Sequence, residues 1–564
     1  MTNHAPTGPV PTVPATYPAP TPPTPASSAT RHLCAGAYLD EGFQRASLNE
    51  VYHQRSRLVA PSYGFDLPTV LHHCLQARRL AVVRDVAIVG MLLLCACVSA
   101  LATTVVIGLL ILLYLFSSLW QIIGQTTLEL RNGRSASAGL ILGQATILRF
   151  RLLSAALIFV LFSLAMGLFA MLKYAADPYS YSYSGEVDPL AGLYPAVVLA
   201  LLVLTLAPPV VTNLVRQSQL DRFAPGRTPP APGATSRFTE IRQQEGGNTV
   251  VFSDYRPFVG SGIVLKNWSF AQRLVRAGNP LAGPTPEAER EFPTAPFGAA
   301  ELIAHLRDEL GTLATQRQAE GQLPGLTVDD RIFLAGTEAA HLVPYTRPEW
   351  IPEIIRQPTA PARHFLVCQM ISWRGELVTT VYVHVAVQGR SLYMDFTSTA
   401  LPPCDERFRV VDQVGGTGPA AYLRAVVRGL VDAPATIGRA PLNLFWAGLD
   451  ALANSSWFGS AGPPRQGYDH GARVSVRELG MAADTRHHLQ TQEVDKHQQI
   501  IERRLLAAVL DFLEDRGVDT SEYRQRAATL LNAGAVVTGG SLTVQGNVTS
   551  TQTNKTHLGT GAGR

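Results

Sequence analysis

The sequence predicts an α-helical transmembrane bundle of four spans, the first two forming a hairpin. A cytosolic α+β domain follows it, and a disordered proline-rich tail precedes it. Three observations lead there. Val86–Leu128 is a run of 43 residues without a charge. A second apolar block covers Phe150–Val215. Beyond it, residues 248–531 alternate between short β-type and longer helical patterns.

The hairpin follows from length and from charge. At about 1.5 Å per residue, Val86–Trp120 would reach roughly 50 Å against a hydrocarbon core of roughly 30 Å. Two short passes turning near Ser99–Thr103 fit better. Arg78, Arg79 and Arg84 precede the block, Arg131, Arg134, Arg149 and Arg151 lie between the blocks, and Arg216, Arg222 and Arg227 follow. The segment Tyr174–Leu193 has no arginine and carries Asp177, Glu186 and Asp188. Basic segments stay on the cytoplasmic side, so an even number of crossings must precede Arg131. Spans are expected at about 86–102, 104–121, 151–173 and 193–215, with both termini cytoplasmic. A single tilted helix over the first block, giving three spans, is the alternative.

Taken in order, residues 1–30 hold nine prolines and no lysine, the composition of a disordered or polyproline-like tail. Residues 31–84 read as a cytosolic helical segment, with an apolar stripe of Tyr38, Leu39, Phe43, Val51 and Tyr52. A second helix from Leu67 runs into the first span. Within the transmembrane region, 85–215, no ionisable group lies inside a span, which points to an anchor and not a conduit. Pro208–Pro209 should kink or end the fourth span. Tyr179, Tyr181 and Tyr183 in the outer loop suit a membrane interface.

Residues 216–247 read as a linker. The domain at 248–531 contains a three-stranded meander, His364–Trp373, Leu377–Val387 and Ser391–Thr397, turning at Arg374-Gly375 and Gln388-Gly389. It closes in a helical hairpin at about 486–531. Val494, Gln498, Ile501, Leu505, Ala508 and Phe512 form a coiled-coil-like stripe there. Gly517 ends the long helix, and Asp519 with Glu522 starts the next. Residues 532–564 read as a short β-hairpin at Ala535–Val548 and a polar tail.

Chemistry is harder to find. His384 falls opposite Tyr393 and diagonal to Asp395, beside Tyr382, so His384, Asp395 and Tyr382 are the candidates for acid–base catalysis. The polar face of a half-exposed sheet explains them better, since no nucleophile or metal ligand lies nearby in sequence. His72, His73 and Cys74 diverge around a helix and do not make a metal site. Gly260-Ser-Gly262 with Lys266 resembles a phosphate loop but lacks the Gly-Lys-Ser/Thr order. Trp268, Trp350, Trp373, Trp446 and Trp457 read as core residues. Cys34, Cys74, Cys95, Cys97, Cys368 and Cys404 are scattered with no CxxC pair, so no zinc site, disulfide framework or cofactor is expected. The net charge of +4 over 564 residues gives no nucleic-acid footprint. Of 47 basic residues only Lys173, Lys266, Lys496 and Lys555 are lysine, a bias of high-GC bacterial genomes.

Four stretches carry a resemblance: Leu33–Asp40, Val59–Asp66, Tyr255–Gly262 with Trp268–Phe270, and Ile501 through Asp519. They resemble large multi-pass membrane proteins of Streptomyces-type actinobacteria. That family has no assigned function, so the resemblance implies a plasma-membrane protein and carries over no catalytic residue. The expectation is a membrane-anchored scaffold or sensor whose partners are the lipid bilayer and a protein, or a second copy, met through residues 489–548. A tethered enzyme using the His/Asp/Tyr cluster is the second reading, and a small channel or transport subunit is the third.

Overall fold

The computed structural model describes residues 27–98, 103–115, 194–278, 287–315, 322–339, 344–416, 418–453, 467–482 and 488–532. The proline-rich tail, the expected span at 151–173, the tyrosine loop and the C-terminal strands lie outside them.

Helix α1 (Ser28–Leu39) starts where the Ser27 hydroxyl accepts the Thr30 amide. The Asp40 carboxylate accepts the Gly42 and Phe43 amides and so starts α2 (Glu41–Ser47). A π-helical turn, Leu48–Tyr52, leads towards α3 (Leu67–Val98), which runs unbroken into the apolar block. Then come α4 (Thr103–Leu115) and α5 (Tyr194–Asp221). Among the described residues, α3 and α5 are long and apolar enough to cross a membrane. Only 17% and 22% of their most apolar windows are buried, so neither is the hidden core helix of a globular domain. Two of the four expected spans thus have a candidate helix among the described residues, and the expected span at 151–173 lies outside them. The described part of α4 falls short of a hydrocarbon core of roughly 30 Å. Val106 and Leu110 of α4 nevertheless share one cluster with Ile88 and Cys95 of α3 and Leu201 of α5.

Pro208 and Pro209 do not end α5, which continues to Asp221. Residues 216–247 are no free tether either. Leu220 and Phe223, and Phe238 and Ile241 on α6 (Ser236–Glu245), are buried with α1, α2 and the start of α3 in one apolar cluster.

The sheet has six strands: β1 (Thr249–Phe252), β2 (Ile263–Arg273), β3 (Thr327–Ala335), β4 (Arg363–Ser372), β5 (Leu377–Gln388) and β6 (Ser391–Leu401). Their spatial order is β1-β3-β4-β5-β6-β2, with β1 parallel to β3 and every other pair antiparallel. Helices α7 (Ala299–Thr315) and α8 (Ile351–Arg356) belong to the same domain. The strand β5 is central, so it is buried on both faces, where the alternation suggested one mixed face. Val381, Val383 and Val385 point to a core shared with Leu306 and Leu310 of α7. Tyr382 points the other way, to Val367, Phe333 and Ala60.

After β6 the chain forms α9 (Pro419–Ala453), the short α10 (Val476–Leu479), α11 (His488–Asp515) and α12 (Ser521–Asn532). Gly517 takes φ 65° between the last two, and the Asp519 carboxylate accepts the Ser521 amide. The stripe of α11 is consumed inside the protein. Ile501, Leu505, Ala508 and Phe512 are buried in the core with α7. Val494 packs against Leu377 and Ala400.

Helix α9 was not foreseen. It leaves the sheet domain and packs along the two apolar helices. Gln217 donates to the Gly416 carbonyl at its start (3.0 Å). Gly429 lies so close to α5 that a Cβ there would sit 2.9 Å from Val210 Cα. Ala433, Ile437 and Ala440 join the cluster of Ile88 and Leu201. Further on, Asn443 donates to Asp85 (3.3 Å) and Arg78 meets Asp450 (3.0 Å), so the second half returns along α3 towards its N-terminal part. Pro434 and Pro441 sit at the middle, where each removes an amide donor. Leu423, Val427, Leu430, Leu442, Phe445, Leu449 and Leu452 remain exposed. Trp446 is 56% exposed, and Trp350 and Trp373 are also exposed, so these three are not core residues.

Candidate functional site

The site is the seam between α1 and the turn joining β4 to β5. Trp373 and Arg374 occupy the left-handed region, with φ 52° and 56°, and Gly375 follows at φ 87°. Two successive non-glycine residues at positive φ are strained, and strain of this kind persists only where the surroundings impose it. Here the imposing neighbour is Gly64. A Cβ on Gly375 would lie 2.1 Å from the Gly64 carbonyl oxygen, so the two backbones touch. The Trp373 indole N–H donates to Glu493 of α11 (2.6 Å).

The turn delivers Glu376 into the interior, where it meets α1. His32 Nδ1 lies 2.6 Å from Glu376 Oε1, and His32 Nε2 lies 2.7 Å from Asp412 Oδ2. Both ring nitrogens of His32 therefore face a carboxylate oxygen. The other Glu376 oxygen accepts the Cys404 amide (2.8 Å), with Arg409 at 3.7 Å. Arg31, one residue before His32, donates to Asp412 (3.0 Å) and to the Phe223 carbonyl just past α5 (2.8 Å). Arg477 of α10 is wholly buried and donates to the Glu376 and Pro402 carbonyls. Burial alone would raise the pKa of Glu376. The His32 hydrogen bond and the Arg477 charge outweigh it and hold that carboxyl down to about 2.

Ligand atoms of His32, Glu376 and Cys404 lie within 4.8 Å of one another, the one such group found among the described residues. It is a poor metal centre. Burial pushes the Cys404 thiol up, away from thiolate, and Arg477 and Arg409 already place positive charge beside the carboxylate.

Two cavities flank the turn, and Ser28 and Arg374 line both. The smaller, about 700 Å³, exposes His32, Glu376 and Asp412. The larger, about 860 Å³, lies among α1, the chain following α5, the end of α6 and the strands β3 and β4. Arg31, Arg227, Arg331 and Arg374 line it, with Glu245 and Asp329.

The residues singled out from sequence sit elsewhere. His384, Asp395 and Tyr382 all lie in the sheet, but the register differs from the expected one. His384 pairs with Asp395 and Tyr393 with Ala386, because Gln388 pairs with Ser391 across the turn. The hydrogen bond of His384 goes to a main-chain carbonyl, that of His364 (2.7 Å), and burial lowers its pKa. Tyr382 is fully buried, stacked on Phe258 at 4.3 Å, and its pKa is pushed well up by that burial. Gly260 and Gly262 do hold an acidic group, though not a phosphate: both amides donate to Glu478 Oε1 (2.9 and 3.0 Å). Lys266 instead pairs with Glu502 (2.7 Å). His72 hydrogen-bonds Gln76 and His73 faces the Tyr38 hydroxyl, with no shared point for a metal.

Arg31, His32, Glu245, Glu376 and Asp412 escaped sequence reasoning. Their one local signal was the Arg374-Gly375 turn, since His32 and Glu376 lie 344 residues apart.

An AbeC-like domain is found over residues 267–545. It fits a family without assigned function. The AbeC-like domain takes in β3 to β6, most of β2, α9 and both helices of the final hairpin, but not α1 or α3. Glu376, Arg374 and Asp412 therefore belong to it, and Arg31 and His32 reach it from the N-terminal helices. No curated protein and no solved structure matches the chain.

Proposed function

We propose that the protein is a membrane-anchored scaffold or sensor. Its AbeC-like domain stands on the cytoplasmic side, coupled to the bilayer through the N-terminal helices. The observation that carries this reading is the apolar surface shared by four helices. Val86, Leu93, Leu94 and Val98 of α3 are exposed, as are Leu112 of α4 and Leu199, Val203 and Val211 of α5. The exposed leucines of α9 continue the surface, and patches of such extent mark a membrane or a partner. Arg78, Arg79 and Arg84 precede the apolar part of α3 and Arg216 and Arg222 follow that of α5, in keeping with the positive-inside tendency.

In this reading the first apolar block is a hairpin, with a further span at 151–173 and both termini cytoplasmic, in the plasma membrane of a high-GC bacterium. A protein partner remains part of the proposal. The stripe on α11 is buried, so the partner surface must lie elsewhere, at the turn of Trp373 and Arg374 or in residues 533–548, outside the described part. Co-sedimentation and flotation with phosphatidylcholine vesicles test the anchor, combined with protease protection of epitopes placed at each terminus. The expected result is flotation with both epitopes cleaved from the side that bears the sheet domain. A protein that stays in the aqueous fraction without detergent would overturn it.

A further inference from the structure

The larger cavity, about 860 Å³, has the size of a small-molecule site and an unusual charge pattern. Of its four arginines only Arg31 has a carboxylate partner, Asp412. Arg227 donates to the Asp221 carbonyl (3.0 Å) and Arg331 to the Gly247 carbonyl (3.5 Å), both uncharged main-chain acceptors. Among the described residues no acidic side chain reaches salt-bridge distance of Arg227, Arg331 or Arg374. Against these three charges the wall offers Asp329 and Glu245. Glu245 is 8% exposed, and neither of its carboxyl oxygens has a hydrogen-bond partner. The Ser62 hydroxyl beside it is also without one. Buried polar groups in folded proteins are almost always satisfied, so orphans in a cavity wall point to a ligand that completes them. Burial pushes the pKa of Glu245 up to about 8, so it is protonated at neutral pH and donates instead of repelling an anion.

We infer that this cavity binds a phosphate-bearing ligand. With Glu245 neutral, three guanidinium groups face one carboxylate, leaving two positive charges, which a phosphate dianion neutralises and a single carboxylate does not. Guanidinium forks match phosphate oxygens in pairs. Protonated Glu245 and Ser62 supply neutral donors to the same anion. Arg331 lies over the Tyr63 ring, 5.3 Å from its centroid, so its plane is already fixed. Arg374, held at φ 56° in the turn, lines both cavities. The phosphate could be that of a free small molecule or of a lipid headgroup, since Gly226 and Arg227 follow directly on α5. Only that second source rests on the membrane reading above.

The test is calorimetric titration of inorganic pyrophosphate into the full-length protein. It is run in phosphatidylcholine nanodiscs, in nanodiscs containing phosphatidic acid, whose phosphomonoester can reach the dianion, and in detergent. Saturable binding is expected, weakened about tenfold or more by Arg374→Gln and by Arg331→Gln, the loss of one charge-assisted contact. Arg374 is exposed and has no salt-bridge partner among the described residues, so its variant keeps the fold if Arg331→Gln does not. Affinity equal in both nanodiscs assigns a free phosphate compound. Affinity reduced by competing phosphatidic acid, and restored in detergent, assigns a headgroup. No saturable binding in any of the three, or binding indifferent to both substitutions, would overturn the site. Pyrophosphate binding by a protein that fails to float with vesicles would remove the anchor and leave the phosphate site standing.

Discussion

His32 and Glu376 are separated by 344 residues of chain and by 2.6 Å in space, Nδ1 to Oε1. Through this contact, and through Asp412 on the other ring nitrogen, α1 is fastened to the AbeC-like domain. Arg31 extends the fastening to the end of α5. A change at the turn after β4 therefore reaches the apolar helices through two adjacent side chains.

Replacing His32 by alanine leaves the buried Glu376 and the more exposed Asp412 with one partner fewer each. Removing the hydrogen-bond partner of a buried carboxylate costs about 1–3 kcal/mol or more. The expected outcome is a markedly lower melting temperature of the full-length protein in detergent. Glu376→Gln should cost less, because its amide oxygen still accepts the Cys404 N–H. Equal melting of wild type and His32→Ala would show that the contact does not fasten anything.

Acid should undo the same contact. Glu376 titrates near 2 in the folded protein against 4.5 ordinarily, so its contribution is complete above 4.5 and is lost as the pH falls towards 2. Melting temperatures recorded between pH 6 and pH 3 should drop below about pH 4.5, by the linkage just stated. Glu376→Gln should show a shallower drop over that interval.

Glu245 works in the opposite direction. Its folded pKa is raised to about 8, so the native state keeps a proton that the unfolded chain sheds, and stability declines as the pH rises from 4.5 through 8. Asp66 adds to the effect, and the Arg242 charge opposes it. Glu245→Gln should be more stable than wild type at pH 8 and similar to it near pH 5. A variant that loses stability equally at both would show that the carboxyl is ionised and paired.

Gly375→Ala tests the backbone contact with Gly64. The added methyl would meet the Gly64 carbonyl oxygen at 2.1 Å while the residue also keeps φ 87°, so neither problem is relieved by a side-chain rotation. Destabilisation of about 2 kcal/mol or more is expected, read in chemical denaturation. Gly389→Ala is the control, since at φ 61° it meets nothing within 4 Å and carries the conformational penalty alone.

Trp446 reports whether α9 lies in lipid. In nanodiscs containing brominated phosphatidylcholine, wild-type fluorescence should be quenched more than that of Trp446→Phe, the difference isolating this one indole. Equal quenching would place the exposed face of α9 in water, or against protein.

Much of the architecture was legible locally. The unbroken helix from Leu67 into the apolar block, the β4–β5–β6 meander and the Gly517 break all follow from runs, alternation and turn residues. Errors appeared where one residue shifts a pattern or where context decides. The register of His384 depended on pairing Gln388 with Ser391. The stripe of α11 is equally compatible with a partner helix or with α7. Helix α9 carries Arg428, Asp432, Arg439 and two prolines, so no hydropathy window selects it as a membrane segment, and only packing on Val210 and Ile88 reveals where it goes.

By itself the sequence determined the helices, the strands and the apolar surfaces, because these depend on neighbours within a few turns of chain. The tertiary structure alone decided that α1 meets the turn after β4 and that α9 lies on the apolar helices. It also decided that three arginines from distant segments share one cavity with a buried carboxyl. Such contacts arise from packing and from the need to satisfy buried charge, and neither leaves a period in the sequence.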